Sequence, residues 1–456
     1  MYNKIILRPG FVLLMGISYL VSVVFTHPLL SIFINIFAIL VIGFYFPSLK
    51  RSSKLMISGL LIISFILFSI GNSWIEAFYS FDANVSILSI FIFVPLLGIP
   101  LKAAKYLDFM EVLYNFYITS TRRLYLMTKL MTYAFCVLMN LGAVTLVYQL
   151  TNTPSYQPYK DMRYKALARG YPLAIFWSPY YISIALLLSY FNVSWIELFP
   201  VGFVIAGMGI ILGVLLESKY NEPLDLPNLK TSDSNTFRKA WYKVVELMCI
   251  TVAITTIIML FEHLWDISVI PIISIFSIIL CFVWTLFYEK VSFLVNQLKE
   301  YTQVNIPRMG NELTLFISAG VFGQAIINIG AGDAIVYFLE FIGVDHPLLL
   351  ILIIMITTCV LAFLGFHPII IITVMAVTLS TTPVFMEHHR IIAMGMLASW
   401  ALSVPISPFS ALTLLLGGLT RTNSIEIGMK RNMKFVILLS LVSFLFLCFI
   451  HIIFNY

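Results

Sequence analysis

Apolar runs long enough to cross a bilayer recur along the chain, with short polar clusters between them. About 20 apolar residues in a helix span the hydrocarbon core. By that measure helices are predicted at roughly 11–26, 29–46, 55–71, 84–104, 172–190, 199–216, 243–261, 268–288, 312–330, 391–419 and 435–454. The pattern is that of an all-α polytopic membrane protein with about eleven transmembrane helices and no stretch long enough for a soluble domain.

Two further apolar segments do not fit a single span. Residues 124–150 follow Arg122 and Arg123 and precede Lys160 to Arg169, so both ends carry the charge of one membrane side. Their middle is broken at Asn140-Leu141-Gly142. Residues 347–380 lie between Asp345/His346 and Glu387/His388/His389, and break at Gly365-Phe366-His367-Pro368. Each segment suits a re-entrant hairpin, one from either face, with a single kinked helix as the alternative. Non-helical backbone at membrane depth requires a protein-lined or watery surround.

The most informative pattern is a repeat. Ser178-Pro179-Tyr180, Leu186-Leu187 and Ile196-Glu197 recur as Ser407-Pro408-Phe409, Leu415-Leu416 and Ile425-Glu426, 229 residues on (407 − 178) with no gap. Ala134-Phe135 and Thr145 match Ala362-Phe363 and Thr373 at an offset of 228 (373 − 145). Each half then holds three helices, a hairpin, a helix broken at Ser-Pro and a final helix. An odd number of crossings separates the halves, which makes them an inverted repeat. The predicted units are an extra N-terminal helix (1–28), a first repeat (29–230; hairpin 124–150, broken helix 172–190) and a second (231–456; hairpin 347–380, broken helix 391–419). Paired breaks in two inverted halves are the sequence signature of a transporter binding site near the midplane.

Composition agrees: 61% of the 456 residues are hydrophobic and 11% charged. The net charge of +6 is an orientation signal and not a nucleic-acid footprint, because Lys and Arg cluster at alternate helix ends. Glu76, Asp82, Glu197, Glu262, Asp266, Asp333 and Asp345 occupy the opposite loops, where Arg390 is the one basic residue. The positive-inside rule then puts the N-terminus in the cytoplasm and the C-terminus outside. The first apolar run lacks a small-residue cleavage site and is expected to be a retained helix. A bacterial cytoplasmic membrane fits this pattern. The cysteines (Cys136, Cys249, Cys281, Cys359, Cys448) lie in apolar segments without metal spacing.

This layout resembles the ion transporter superfamily, best known through the divalent anion/sodium symporters. The resemblance covers most of the chain as layout. Asn140-Leu141-Gly142 and Phe366-His367-Pro368 occupy the hairpin-tip positions, and Ser178-Pro179 and Ser407-Pro408 the helix breaks. The Ser-Asn-Thr tips of that family are missing, so the resemblance implies fold and general mechanism but no substrate. It also implies a homodimer, an elevator-like shift of the hairpin domain, and interfacial arm helices, for which 106–113 and 337–341 are the candidates; ordinary amphipathic surface helices are the alternative.

Breaking a helix frees carbonyls at one half-helix end, which suit a cation, and N–H groups at the other, which attract an anion. Ser178, Ser407 and Ser410 supply hydroxyls and Asn140 an amide. With Gly142, Pro179, His367, Pro368 and Pro408 they form the candidate substrate and ion site, and Gln324 and Asn328 are candidate cavity-lining residues. His367 is either a proton-coupling group or a neutral imidazole bonded to its neighbours. Glu197 and Glu426 are read as caps or interfacial residues, and Lys165 and Arg169 as orientation charges or an attraction for anions. No resident metal or cofactor is expected; the coupling ion is Na+ or H+, the cargo a small, anionic solute. The alternatives are a flippase or an enzyme acting on lipid-linked substrates, and for the enzyme Glu387-His388-His389-Arg390 is the one suitable cluster. No nucleotide-binding loop is present.

Overall fold

Lipid offers no hydrogen-bond partner, so a spanning backbone must satisfy itself within each segment. Accordingly the protein, in a computed structural model, is all helix. The structure describes residues 2–217, 223, 234–265, 267–330, 334, 337, 339, 341, 343–344, 346–380, 382–454 and 456. Among these there is no strand, and the one β-bridge joins Ser120 to Pro223. Asp266, Asp333 and Asp345, Lys219 and Lys230 of the basic clusters, and residues 338 and 340 of the second candidate arm lie outside the described residues. The first candidate arm is the helix Tyr106–Tyr117, which packs on Ser234–Trp265.

Among the described residues eight helices are long and apolar enough to cross a membrane: Leu7–Val24, Pro28–Ser48, Arg51–Ile70, Trp74–Ala103, Trp195–Leu216, Asn235–Trp265, Val269–Tyr288 and Glu426–Phe454. Pro368–Ser380 with Pro383–Ser403, bent by 110°, makes a ninth if the pair is one span. Eleven were expected, and the difference has a local cause in three places. The segment 172–190 divides into Lys160–Ile175 and Ile182–Tyr190, and 391–419 into His389–Ser403 and Ala411–Thr420. Gly310–Asn328 is continuous, but Asn311, Glu312, Gln324 and Asn328 lower its apolar content.

Burial separates centre from rim. In the apolar stretch of Trp74–Ala103 78% of the residues are buried, whereas in that of Asn235–Trp265 11% are, and Val252, Leu260 and Leu264 turn outward. In water such faces would be a liability; in lipid they are the expected exterior. Inside, Arg51–Ile70 packs on Gly310–Asn328, and Val85–Phe93 on Val269–Tyr288. The second pair is joined by the hydroxyls of Ser89 and Ser274 at 2.8 Å. Asn84 donates its amide to the Phe316 carbonyl at 2.9 Å, tying one pair to the other.

Candidate functional site

The first break is fastened to the helix before it. Thr121–Met139 ends at Asn140, whose backbone is left-handed (φ 51°), and the next helix starts at Gly142. Helix termination leaves the Val137 carbonyl without its usual partner, because the Leu141 N–H bonds to Asn140 Oδ1 at 2.7 Å. The Ser178 hydroxyl donates to that Val137 carbonyl at 2.9 Å. Two further bonds strengthen the seam: Tyr181 to the Cys136 carbonyl at 3.0 Å, and the Trp177 indole to the Tyr133 hydroxyl at 2.7 Å. Asn140 Oδ1 also accepts from the Tyr171 hydroxyl at 2.8 Å.

These contacts fix direction. Arg169 reaches Tyr125, Ser178 reaches Val137, and both partners advance along the chain together. Lys160–Ile175 therefore runs parallel to Thr121–Met139. The intervening helix Gly142–Thr151 must carry the chain back, and Arg163 secures its end by donating to the Thr151 carbonyl and to Asn152 Oδ1.

The second break repeats the construction. Pro347–Phe363 ends at a left-handed Gly365 (φ 106°), and the Ser407 hydroxyl donates to the Ala362 carbonyl at 2.6 Å. In both halves the accepting carbonyl lies three residues before the left-handed residue, an offset of 225 between the halves (362 − 137). The acceptor offset differs by three residues from the 228 between the Ala-Phe pairs (228 − 225). Ser410 caps Ala411–Thr420 by accepting from the Thr413 N–H at 3.1 Å, and Thr413 returns its hydroxyl to the Ser407 carbonyl at 2.6 Å. Pro179 and Pro408 lie inside the two breaks and deprive them of a backbone donor.

His367 caps the helix that begins at Pro368: its Nδ1 accepts from the Ile369 N–H at 3.2 Å. His27 before Pro28 and His346 before Pro347 make the same bond at the same length. An accepting Nδ1 places the proton on Nε2, so the His-Pro step is first of all a helix start. The His367 ring also lies 6.3 Å from both Phe316 and Trp400. Trp400 stands 229 residues after Tyr171 (400 − 171), so the Tyr171–Asn140 and Trp400–His367 pairs are counterparts.

The remaining candidates divide. Gly142 has open space where a Cβ would stand. Gln324 is half-buried in the helix that also carries Phe316. Asn328 sits at that helix's end and accepts from the Ser73 hydroxyl at 2.5 Å, a loop contact away from both breaks. Glu197 completes a capping box with Ser194 and pairs with Arg390 at 2.6 Å. A cavity of about 490 Å³, lined by Tyr19, Ser22, His27, Ser31 and Asp82 among others, also opens away from the breaks. Among the described residues no His/Cys/Asp/Glu group is placed to hold a metal ion.

Three features carried no readable sequence signal. Gly202 presses its helix onto the Phe176 carbonyl in the first break, and Gly428 presses its own onto the Ile406 carbonyl in the second. The two breaks are thus roofed by equivalent glycines. Second, Lys129 is fully buried in the first hairpin segment and donates to the Gly209 carbonyl at 2.7 Å. Beside it Glu217 binds Arg169 at 2.8 Å and Lys165 at 3.0 Å, while Arg169 also donates to Asn432. Lys165 and Arg169, expected as orientation charges, are thus structural ties between four helices. Third, the return helices cross over: Gly142–Thr151 meets Ala411–Thr420, with Tyr148 donating to the Leu419 carbonyl at 2.7 Å, and Pro368–Ser380 meets Ile182–Tyr190.

At the other end of the second half, His346, His388 and His451 approach one another, with ring centroids 6.0 and 5.3 Å apart around His451. Burial pushes His388 below the usual imidazole range, and the neighbouring His451 adds to this while Glu387 opposes it.

These features define a multi-pass, all-helical membrane protein in which two helices are broken in matching ways. In fold it is similar to the solved YdaH transporter from Alcanivorax borkumensis, with a TM-score of 0.52 and 11% identity over 88% of this chain and 99% of that one. At that identity the likeness is one of fold. No protein-family model and no curated protein matches the sequence.

Proposed function

We propose that the protein is a secondary active transporter that moves a small, anionic solute, coupled to Na+ or H+, by an elevator-type shift of its hairpin elements. The observation that carries this reading is the paired fastening. Ser178 and Ser407 each donate to a carbonyl in the last turn of a preceding helix, three residues before a left-handed residue, in two halves of the chain. A kink without purpose has no reason to be built twice with the same partner atoms.

The crossed packing of the return helices supports the inverted repeat and a shared site between the halves. Each serine donates its proton to a carbonyl, which leaves the Ser178 oxygen its lone pairs for a cation and the Ser407 oxygen one beyond the Phe409 N–H that it accepts at 3.3 Å. The N-termini at Ile182 and Ala411 favour an anion. In this reading the N-terminus is cytoplasmic, the C-terminus is outside, the membrane is a bacterial cytoplasmic one, and the protein works as a homodimer, as the family resemblance implies. The enzyme alternative draws no support from its cluster: Arg390 is paired with Glu197, and His389 packs on Phe191 at 4.9 Å.

The test is the melting temperature of the detergent-purified protein across sodium, lithium, potassium and pH, crossed with small carboxylates and inorganic oxyanions. A bound ligand stabilises in proportion to its occupancy. Stabilisation by one cation together with one anion is expected. Stabilisation only by lipid-linked or amphiphilic compounds would move the function to a flippase or enzyme.

A further inference from the structure

The cavity of about 490 Å³ that opens away from the breaks carries an acid in its wall. Thr26 and His27 line it, so it lies where Leu7–Val24 turns into Pro28–Ser48, at the membrane surface. The acid is Asp82, half-buried. Its Oδ2 accepts from the Ser31 hydroxyl at 2.9 Å and from the Asn35 amide at 3.0 Å. Asn35 is fully buried and also donates to the Ser31 carbonyl at 2.8 Å, which fixes the support of the carboxylate. Those bonds hold the charge without neutralising it. Among the described residues no basic side chain pairs with Asp82, and no Lys or Arg lines the cavity. A carboxylate withdrawn from water without a cation is costly. The cavity therefore suits one positive charge.

It also offers neutral donors. His27 Nδ1 accepts from the Leu29 N–H at 3.2 Å, which leaves the proton on Nε2. The Tyr19 phenol and the Thr26 hydroxyl line the same space. Such donors suit the oxygens of an anionic group carried by the same ligand. Beyond the mouth both helices turn apolar stripes outward: Ile17, Val21 and Val24 on the first, Leu29, Phe33 and Ile36 on the second. Each stripe has helical spacing and faces the acyl chains of the bilayer.

We propose that this cavity holds the headgroup of an aminophospholipid of the phosphatidylethanolamine type. Its ammonium meets Asp82, its phosphate meets His27, Tyr19 and Thr26, and its chains follow the two stripes. The volume is ordinary for a small-ligand site, about 300–1,000 Å³. A primary ammonium donates to the carboxylate, a quaternary one cannot, and an anionic headgroup is repelled.

The full-length protein is stripped of lipid in detergent and melted against phosphatidylethanolamine, phosphatidylcholine and phosphatidylglycerol of identical chains. Phosphatidylethanolamine is expected to raise the melting temperature saturably. It should do so at concentrations about tenfold below the other two, the effect of one hydrogen bond to a charged group. Asp82→Asn, of the same shape, is expected to erase that preference. Tyr19→Phe serves if the first variant does not fold, and should raise the half-saturating concentration about tenfold. Equal responses to the three lipids, a preference undiminished in Asp82→Asn, or an unshifted Tyr19→Phe overturn the site. Free phosphoethanolamine, which lacks the chains, should act only at far higher concentration; if it matches the lipid, the ligand is a soluble amine and the lipid assignment falls. Asp82→Asn should keep any stabilisation that small cations and anions give the wild type. Loss of that response as well would put Asp82 in the transport site and overturn the assignment.

Discussion

Substituting Gly202 by alanine should damage the first break from a neighbouring helix that carries no chemistry of its own. An added Cβ would overlap the Phe176 carbonyl oxygen and stand 2.7 Å from its carbon, with Trp177 Cβ at 3.2 Å. The obstructing atoms are backbone and cannot rotate away, so Trp195–Leu216 must retreat. Retreat also strains the bond from the Trp195 indole to the Trp177 carbonyl, now 2.7 Å. Overpacking costs about 1–3 kcal/mol, and a weakened hydrogen bond adds about 1 kcal/mol. Alanine returns about 0.5–1 kcal/mol through helix propensity, leaving a net loss of about 1–3 kcal/mol. Gly207 lies on the same helix with nothing near its would-be Cβ, so Gly207→Ala should be neutral or stabilising by about 0.5–1 kcal/mol. Thermal melting in detergent compares the two directly. Gly202→Ala is expected to melt several degrees below wild type and to lose any stabilisation by ligand, with Gly207→Ala at or above wild type. Equal melting of the two variants would refute the claim that a glycine roof holds the break in place.

The counterpart Gly428→Ala, with the Ile406 carbonyl oxygen 2.6 Å from the added carbon, should reproduce the Gly202 loss in the second half. Ser178→Ala and Ser407→Ala should each cost about 1 kcal/mol for the lost bond, and the double variant their sum, since each serine binds a different helix; an undiminished melting temperature would show the fastenings are idle. Glu217→Gln removes the partner of buried Arg169 and of Lys165 and should destabilise by about 3–5 kcal/mol, measured in the same way. Because His388 is held below the imidazole range, the unfolded chain binds its proton first as pH falls. Stability should therefore decline below about pH 6.5 and His388→Gln should flatten that decline; an unchanged slope would remove His388 as its cause.

What could be read from the chain, and what could not, follows from what each residue type reveals. Ser178-Pro179 and Ser407-Pro408 were conspicuous because a polar residue and a proline interrupt apolar helices, and their repetition needed no structure. Their partners, Val137 and Ala362, were invisible: any residue has a carbonyl, and only the turns at Asn140 and Gly365 bring these two to the serines. Gly202 and Gly428 read as ordinary glycines in apolar runs, since the requirement for a missing Cβ arises from a backbone more than twenty residues earlier in sequence. The span count fell short of eleven because composition measures segments, whereas a broken helix is two short ones.

The most direct test of the account is gradient-driven uptake. Purified protein is reconstituted into liposomes, a sodium or proton gradient is imposed, and a panel of labelled small carboxylates and inorganic oxyanions is followed into the lumen. The account predicts that one anion accumulates above its outside concentration, that accumulation collapses with the gradient, and that Ser178→Ala and Ser407→Ala abolish it. If no member of the panel accumulates under either gradient while the protein remains folded, the claim that the paired breaks form a coupled transport site is contradicted.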